Sequence, residues 1–171
     1  MGAATVTFED FLRAELAALT RFAGALTGDR YLAEDVLSDA LLTAAARWRR
    51  ISTMAHPTAF VRRIVVTTFL SDRRRAARRR TDPTSDQAVL DRPGDDASAA
   101  TADRDEVDRL LARLPPQQRA AIVLRYLYDL PDDQIADALG CTPATARSHL
   151  SHGRTLLRLN AADPGQTVER R

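Results

Sequence analysis

A chain of 171 residues with one cysteine holds no internal disulfide framework and no multi-thiolate zinc site, and no apolar run approaches the ~20 residues of a membrane span. All 25 basic residues are arginine, and with 30 Ala and 21 Leu they make a composition of strong helix formers, so an all-α protein is the first inference. The net charge of +2 hides a partition: residues 1–46 carry −4, 47–80 carry +10, 81–108 carry −7 and 109–171 carry +3.

The +10 block is the segment suited to a polyanion, and the acidic blocks are suited to some other role. The first residues lack a basic start followed by an apolar stretch, so a cytoplasmic protein without membrane insertion is expected. A first helix is predicted over 7–26, where Phe8, Phe11, Leu12, Leu16, Leu19, Phe22 and Ala23 recur at three- and four-residue spacing, and Gly28 and Asp29 break it. A second is predicted over 31–49 on the stripe Leu32, Val36, Leu37, Ala40, Leu41, Ala44 and Trp48. Residues 51–56 read as a loop. Pro57 then opens a third helix to residue 80, whose middle from Phe60 to Leu70 is apolar on nearly every side and should be deeply packed.

Residues 81–102 hold Pro83, Pro93, Gly94 and many Asp and Ser, and read as a flexible acidic linker. Helices resume over 102–113, then from Pro115 and Pro116 to about 128, then from Pro131 to Gly140. Thr142 has the character of an N-cap with Pro143 at the first helical position of a last helix to 159. The expected architecture is two small helical domains, 1–80 and 103–159, joined by the linker and followed by a frayed tail over 160–171.

The segment 131–158 has the pattern of a helix-turn-helix. Ala136 is small enough for a close crossing, and Gly140 tolerates the positive φ of the turn. Thr145, Arg147, Ser148, His149 and His152 then point outward, where Arg and His can donate to phosphates or guanine edges in a major groove. A helical hairpin with a solvated basic face has the same spacing. Arg73, Arg74, Arg75, Arg78, Arg79 and Arg80 fill six of the eight positions 73–80 at the end of the third helix. Helix-dipole compensation asks for two or three of them; six, with Arg62 and Arg63 upstream, point to nucleic-acid contact.

Three stretches together resemble a known family: 32–48 (LAEDVLSDALLTAAARW), 59–75 (AFVRRIVVTTFLSDRRR) and 114–157, which begins LPPQQR and runs through an Arg-Tyr pair, an Ile-Ala, a Leu-Gly-Cys turn and a Thr-x-Arg-Ser helix start. In this order they resemble the extracytoplasmic-function branch of bacterial sigma factors, and within it the actinobacterial SigE-like group. The resemblance covers about residues 7–80 and 105–159. It implies a dissociable subunit of RNA polymerase that directs promoter recognition and transcription initiation. It implies no enzymatic activity and no cofactor of its own, and a monomer when free.

By that resemblance the second helix docks on the β′ clamp helices of core polymerase. Glu34, Asp35, Ser38, Asp39 and Leu42 fall within about 140° of one another at 100° per residue. An apolar Leu42 among acids suits a partner, although an ordinary solvated face would show the same acids. The third helix and the loop before it would recognise and melt the minus-ten element. Arg62, Arg63, Arg73, Arg74 and Arg75 would contact the backbone there, and the loop 49–56 would form the pocket for an unstacked base. Trp48 and Phe60 are candidates to line that pocket, with core packing as the competing role. The acidic linker would thread the polymerase cleft as an RNA mimic, or serve as a solvated spacer. The last helix would read the minus-thirty-five element through Thr145, Arg147, Ser148, His149, His152 and Arg154, and the C-terminal domain would meet the β flap. An anti-sigma factor is a further partner the family admits.

Four positions depart from the family pattern: Ala144 in place of a common glycine, His149 and His152 where Arg or Gln is frequent, Asp72 where tryptophan is frequent, and Thr67 for asparagine. They bear on which promoter is read. Asp72, beside the arginine run, would either weaken phosphate attraction or orient Arg75 or Arg73. No phosphate loop, nucleophile elbow or paired catalytic acids appear, and His149 and His152 lack a nearby acid or cysteine to complete a metal site. Cys141 should pack in the turn as a small hydrophobe. The alternatives are a stand-alone helix-turn-helix regulator, which would need its own symmetry, and a protein-interaction adaptor without DNA readout.

Overall fold

The computed structural model describes residues 6–81 and 102–162, and every regular element among them is a helix. The helices are α1 (Phe8–Thr27), α2 (Arg30–Ala46), α3 (Trp48–Ile51), α4 (Pro57–Thr81), α5 (Ala102–Ala112), α6 (Pro116–Tyr128), α7 (Asp132–Leu139) and α8 (Pro143–Ala162). The predicted linker lies almost wholly outside the described residues, as does the tail beyond 162.

Local chemistry sets the helix ends. The Thr7 hydroxyl caps α1, accepting from the Asp10 amide at 3.1 Å and donating to Asp10 Oδ2 at 2.6 Å. The Thr7 hydroxyl first of all, then Arg13, hold the Asp10 carboxyl below its ordinary range, against the opposing effect of desolvation. Gly28 ends α1 at φ 67°, where a residue with a Cβ would be strained, and the Asp29 carboxylate caps α2 through the Leu32 amide at 2.9 Å. Pro116 begins α6, and the left-handed Asp129 (φ 51°) closes it.

The N-terminal body packs α1 on α2, α2 on α4 and α1 on α4. Its core is Leu19, Phe22, Leu26, Val36, Ile51, Val61, Val65, Val66 and Phe69, all fully buried. The middle of α4 is packed nearly as deeply as its sequence indicates, with Arg63 and Thr67 left exposed and Arg62 half-buried. The second helix stops at Ala46, earlier than its periodicity predicts. Arg47 breaks it at φ −111°, and α3 follows as a single turn that carries Ile51 into the core. The residue read as the start of a loop is therefore a core anchor. Trp48 leaves the α2 stripe and packs edge-on against Phe8 and tilted against Phe11, its indole N–H donating to the Val6 carbonyl at 2.9 Å.

The C-terminal body packs α6 and α7 on α8, with α5 also against α8. Leu124, Ile135, Ala146 and Leu150 are buried at its centre. Gly153 permits the close crossing of α8 and α6: a Cβ there would sit 2.8 Å from Ile122 Cγ1. The two bodies touch, with α1 against α5 and α6, and α4 against α6 and α7.

Candidate nucleic-acid and partner interfaces

The acidic face of α2 is a real surface. Glu34, Asp35, Ser38, Asp39 and Leu42 are all exposed, Leu42 at 70%. Arg30 Nε meets Glu34 at 3.2 Å, which leaves Asp35, Asp39 and Leu42 as the presented group. Asp39, Leu42 and Thr43 form one wall of an open groove of about 390 Å³ whose other wall is Thr67, Thr68, Ser71, Asp72 and Arg75 of α4. Burial pushes the Asp72 carboxyl up, Arg75 pulls it down, and Asp39 and Asp35 push it up again. Asp72 accepts from Arg75 Nη1 at 3.4 Å, so it orients Arg75 and not Arg73.

Beside this groove lies a cleft of about 510 Å³ lined by Ala46, Arg47, Arg49, Arg50, Ile51, Met54 and Phe60. Its floor is apolar and its rim carries guanidinium groups. This is the chemistry that holds an unstacked base by its faces and the adjoining phosphates by charge. Of the two aromatic candidates, Phe60 lines the cleft and Trp48 does not.

The five arginines of α4 chosen from the sequence divide by face. Arg63, Arg74 and Arg75 are exposed, while Arg62 and Arg73 are half-buried. The split follows from helix geometry, since an eleven-residue step returns to within about 20° of the same direction. Arg62 and Arg73 share the face turned toward the C-terminal body. The Arg62 guanidinium lies 4.2 Å over the Tyr128 ring of α6, with its Nε buried and without a hydrogen-bond partner.

In the helix-turn-helix, Gly140 adopts φ 67° in the turn, and the Thr142 hydroxyl accepts from the Thr145 amide at 3.2 Å. Thr145, Arg147, Ser148 and His152 are exposed and His149 is half-buried. Asp132, in the first turn of α7, accepts from Arg125 and holds Arg147 Nη1 at 3.7 Å. Arg147 keeps 61% of its side chain exposed, so its guanidinium is aimed without being withdrawn. Burial, and then the charge of His152, lowers the proton affinity of His149. Arg154, two turns beyond Arg147 and within about 20° of it around the helix, is exposed, and its Nε donates to the Tyr126 hydroxyl of α6 at 3.0 Å. Burial raises the Cys141 thiol, in keeping with a packing role in the turn.

Arg119 and Tyr128 carry geometry that sequence reasoning missed. Arg119 lies inside the LPPQQR stretch, where charge counting gives it no special place. It is only 5% exposed, and burial, assisted by the nearby Arg73, lowers its guanidinium to about 10.

Comparison with known proteins covers both bodies. The family model described as Sigma-70 region 2 matches residues 11–79, and the one described as Sigma-70, region 4 matches residues 104–157. The RNA polymerase sigma-E factor of Streptomyces coelicolor is 32% identical over 151 residues, covering 88% of this chain and 84% of that protein. The ECF RNA polymerase sigma factor SigL of Mycobacterium tuberculosis is 33% identical over 153 residues, covering 88% of this chain and 86% of that protein. Among solved structures, the sigma factor RpoE in complex with the anti-sigma factor NepR from Bartonella quintana superposes with a TM-score of 0.71 at 26% identity, covering 95% of this chain and 98% of that one. CnrH in complex with the cytosolic domain of CnrY gives a TM-score of 0.59 at 20% identity, over 91% of this chain and 88% of that one, a likeness of fold.

Proposed function

The chain belongs to the extracytoplasmic-function sigma factors of RNA polymerase, and from that membership we propose how its surfaces divide the work of initiation. It binds core polymerase and directs it to promoters. The body over 1–80 docks on the β′ clamp helices through Asp35, Asp39 and Leu42, with Glu34 at the margin. The cleft under Phe60 takes a base extruded from the minus-ten element, with Arg63, Arg74 and Arg75 on the flanking phosphates. The body over 103–159 reads the minus-thirty-five element through Thr145, Arg147, Ser148, His149 and His152, and meets the β flap.

The observation that carries this reading is the pairing of an arginine-rimmed apolar cleft in one body with an outward-facing helix-turn-helix in the other. A stand-alone operator-binding protein has no use for the first, and an adaptor without DNA readout has no use for the second. Nucleotide chemistry belongs to the polymerase, and this chain performs none. Its site of action is the cytoplasm. An anti-sigma factor is a further partner; the likeness to the NepR-bound structure, which runs through both bodies, supports it.

The test is run-off transcription with purified core polymerase on genomic DNA. The chain should yield discrete transcripts that core enzyme alone does not. Arg147→Ala should cut them about tenfold, the effect of ~1–3 kcal/mol for a base or phosphate contact, while polymerase pull-down is unchanged. Absence of any chain-dependent transcript overturns the assignment.

A further inference from the structure

Arg147 and Arg154 share the outward face of α8, and each is met from a neighbouring helix by a different kind of group. Arg154 donates to the phenol of Tyr126, an uncharged partner. Arg147 faces a carboxylate: Asp132 Oδ2, at the start of α7, lies 3.7 Å from its Nη1. Two side chains of one type on one face therefore stand in different electrostatic surroundings. At 3.7 Å the contact is longer than a hydrogen bond, so it draws the Arg147 guanidinium to one side without taking up an N–H donor.

Asp132 is itself fastened. Its other oxygen, Oδ1, accepts from Nη2 of Arg125 in the last turn of α6, and Arg125 keeps only 25% of its side chain exposed. One partner of the Arg147 pair is thus ordered before DNA arrives, which removes much of the side-chain entropy that weakens an exposed ion pair. The first turn of a helix is a usual place for an acid, and Asp133 fills it as well. Compensation of the helix dipole therefore does not explain why the Asp132 carboxylate bridges two arginines. Beside DNA that carboxylate decides which acceptor Arg147 takes. A phosphate brought onto the guanidinium is also brought against Asp132, whereas O6 and N7 of guanine are uncharged acceptors with the spacing of the guanidinium fork. Arg154, with a neutral hydroxyl as its partner, keeps its attraction for phosphate whole.

We propose that Asp132 is a positioning residue that turns Arg147 away from phosphate and onto a guanine edge, while Arg154 takes the phosphate. This rests on the assignment of α8 to the minus-thirty-five element made above. It adds that the element holds a G·C pair read by Arg147, and that discrimination at that pair is set from α7 as well as by the reading side chain.

The test is transcription by the holoenzyme from a promoter mapped in the run-off assay, and from templates in which each base pair of its minus-thirty-five element is exchanged in turn. The wild-type chain should prefer the mapped promoter about tenfold over the template that loses the guanine read by Arg147, and Arg147→Ala should abolish that preference. Asp132→Asn should cut it about three- to fivefold, chiefly by raising transcription from the exchanged template, and should leave preferences at the other pairs in place. Asp133→Asn removes an acid from the same turn and should leave the preference whole, which separates positioning from a simple gain of charge. In an Arg147→Ala background Asp132→Asn should change no preference, since the two residues act as one unit. Arg154→Ala should lower transcription from every template alike and flatten the salt dependence of holoenzyme binding by about one unit of slope. Asp132→Ser, a second replacement that a helix start accepts, should repeat the cut; each readout is a ratio between templates, so a smaller folded fraction cancels. A preference lost in Arg147→Ala and kept in Asp132→Asn overturns the positioning role, as does an equal loss in Asp133→Asn. Preferences kept at every pair in Arg147→Ala overturn the assignment of Arg147 to a base, and the proposal with it.

Discussion

His149 shows how one side chain can report on the interface it belongs to. Burial and the neighbouring His152 hold its proton affinity below that of a free histidine. In the folded chain alone the neutral form is favoured, while the unfolded chain takes up a proton at the ordinary value. Both forms are neutral at high pH and no stability is at stake there. As pH falls through about 6.5 the unfolded state gains the proton first, so the free fold loses stability. A phosphate beside the ring reverses the preference, so DNA affinity should rise as pH falls, by about three- to tenfold between pH 7.5 and 5.5. His149→Gln should flatten both trends. The checks are denaturation midpoints and promoter-duplex titrations at each pH. Affinity that stays level while stability falls would place His149 away from the phosphates.

At the scale of the element, punctuation and period carried most of the reading. Thr142, Pro57 and Gly140 act at helix boundaries as their chemistry predicts, while Thr7, read as the first helical residue, and Asp29, read as a breaker, serve as N-caps. The missed break at Arg47 has a physical cause. Ala44, Ala45 and Ala46 are good helix formers, and nothing in them signals a stop; the stop comes from tertiary packing, which draws Ile51 into the core and Trp48 onto Phe8 and Phe11. Within the candidate site, the outward group on α8 was legible because a helix-turn-helix fixes its exposed face. The division of the α4 arginines was not, since it depends on a neighbouring body that the sequence does not locate. Gly153 belongs to the same class: only the crossing of α6 shows why it is small. Gly153→Val should drive a branched side chain into Ile122 and cost ~1–3 kcal/mol, read as a lower urea midpoint with an unchanged slope. A midpoint equal to wild type would mean that α6 and α8 cross less closely than 2.8 Å implies.

Along the chain charge is sorted into blocks of one sign, and under the proposed division of work each partner would meet mainly one of them. The acidic face of α2 and the arginines of α4 lie on neighbouring helices of one body, and the groove between them mixes the two at Asp39, Asp72 and Arg75. Reversing the acidic face tests this sorting directly. Asp35→Arg with Asp39→Arg shifts the local charge by four and leaves every buried residue in place, because both positions are exposed. It also relieves Asp72, whose carboxyl the two acids push up, so the fold should not lose stability. Core-polymerase association should weaken about tenfold or more at low salt, and by less as salt approaches the screening regime of a ~10 Å Debye length. Binding of the free chain to DNA should strengthen, since two acids beside the arginine helix become two cations. Opposite movement of the two affinities is the signature of a surface facing protein; a pull-down left unchanged, with DNA affinity raised, would assign the face to solvent and move the polymerase contact elsewhere on the chain.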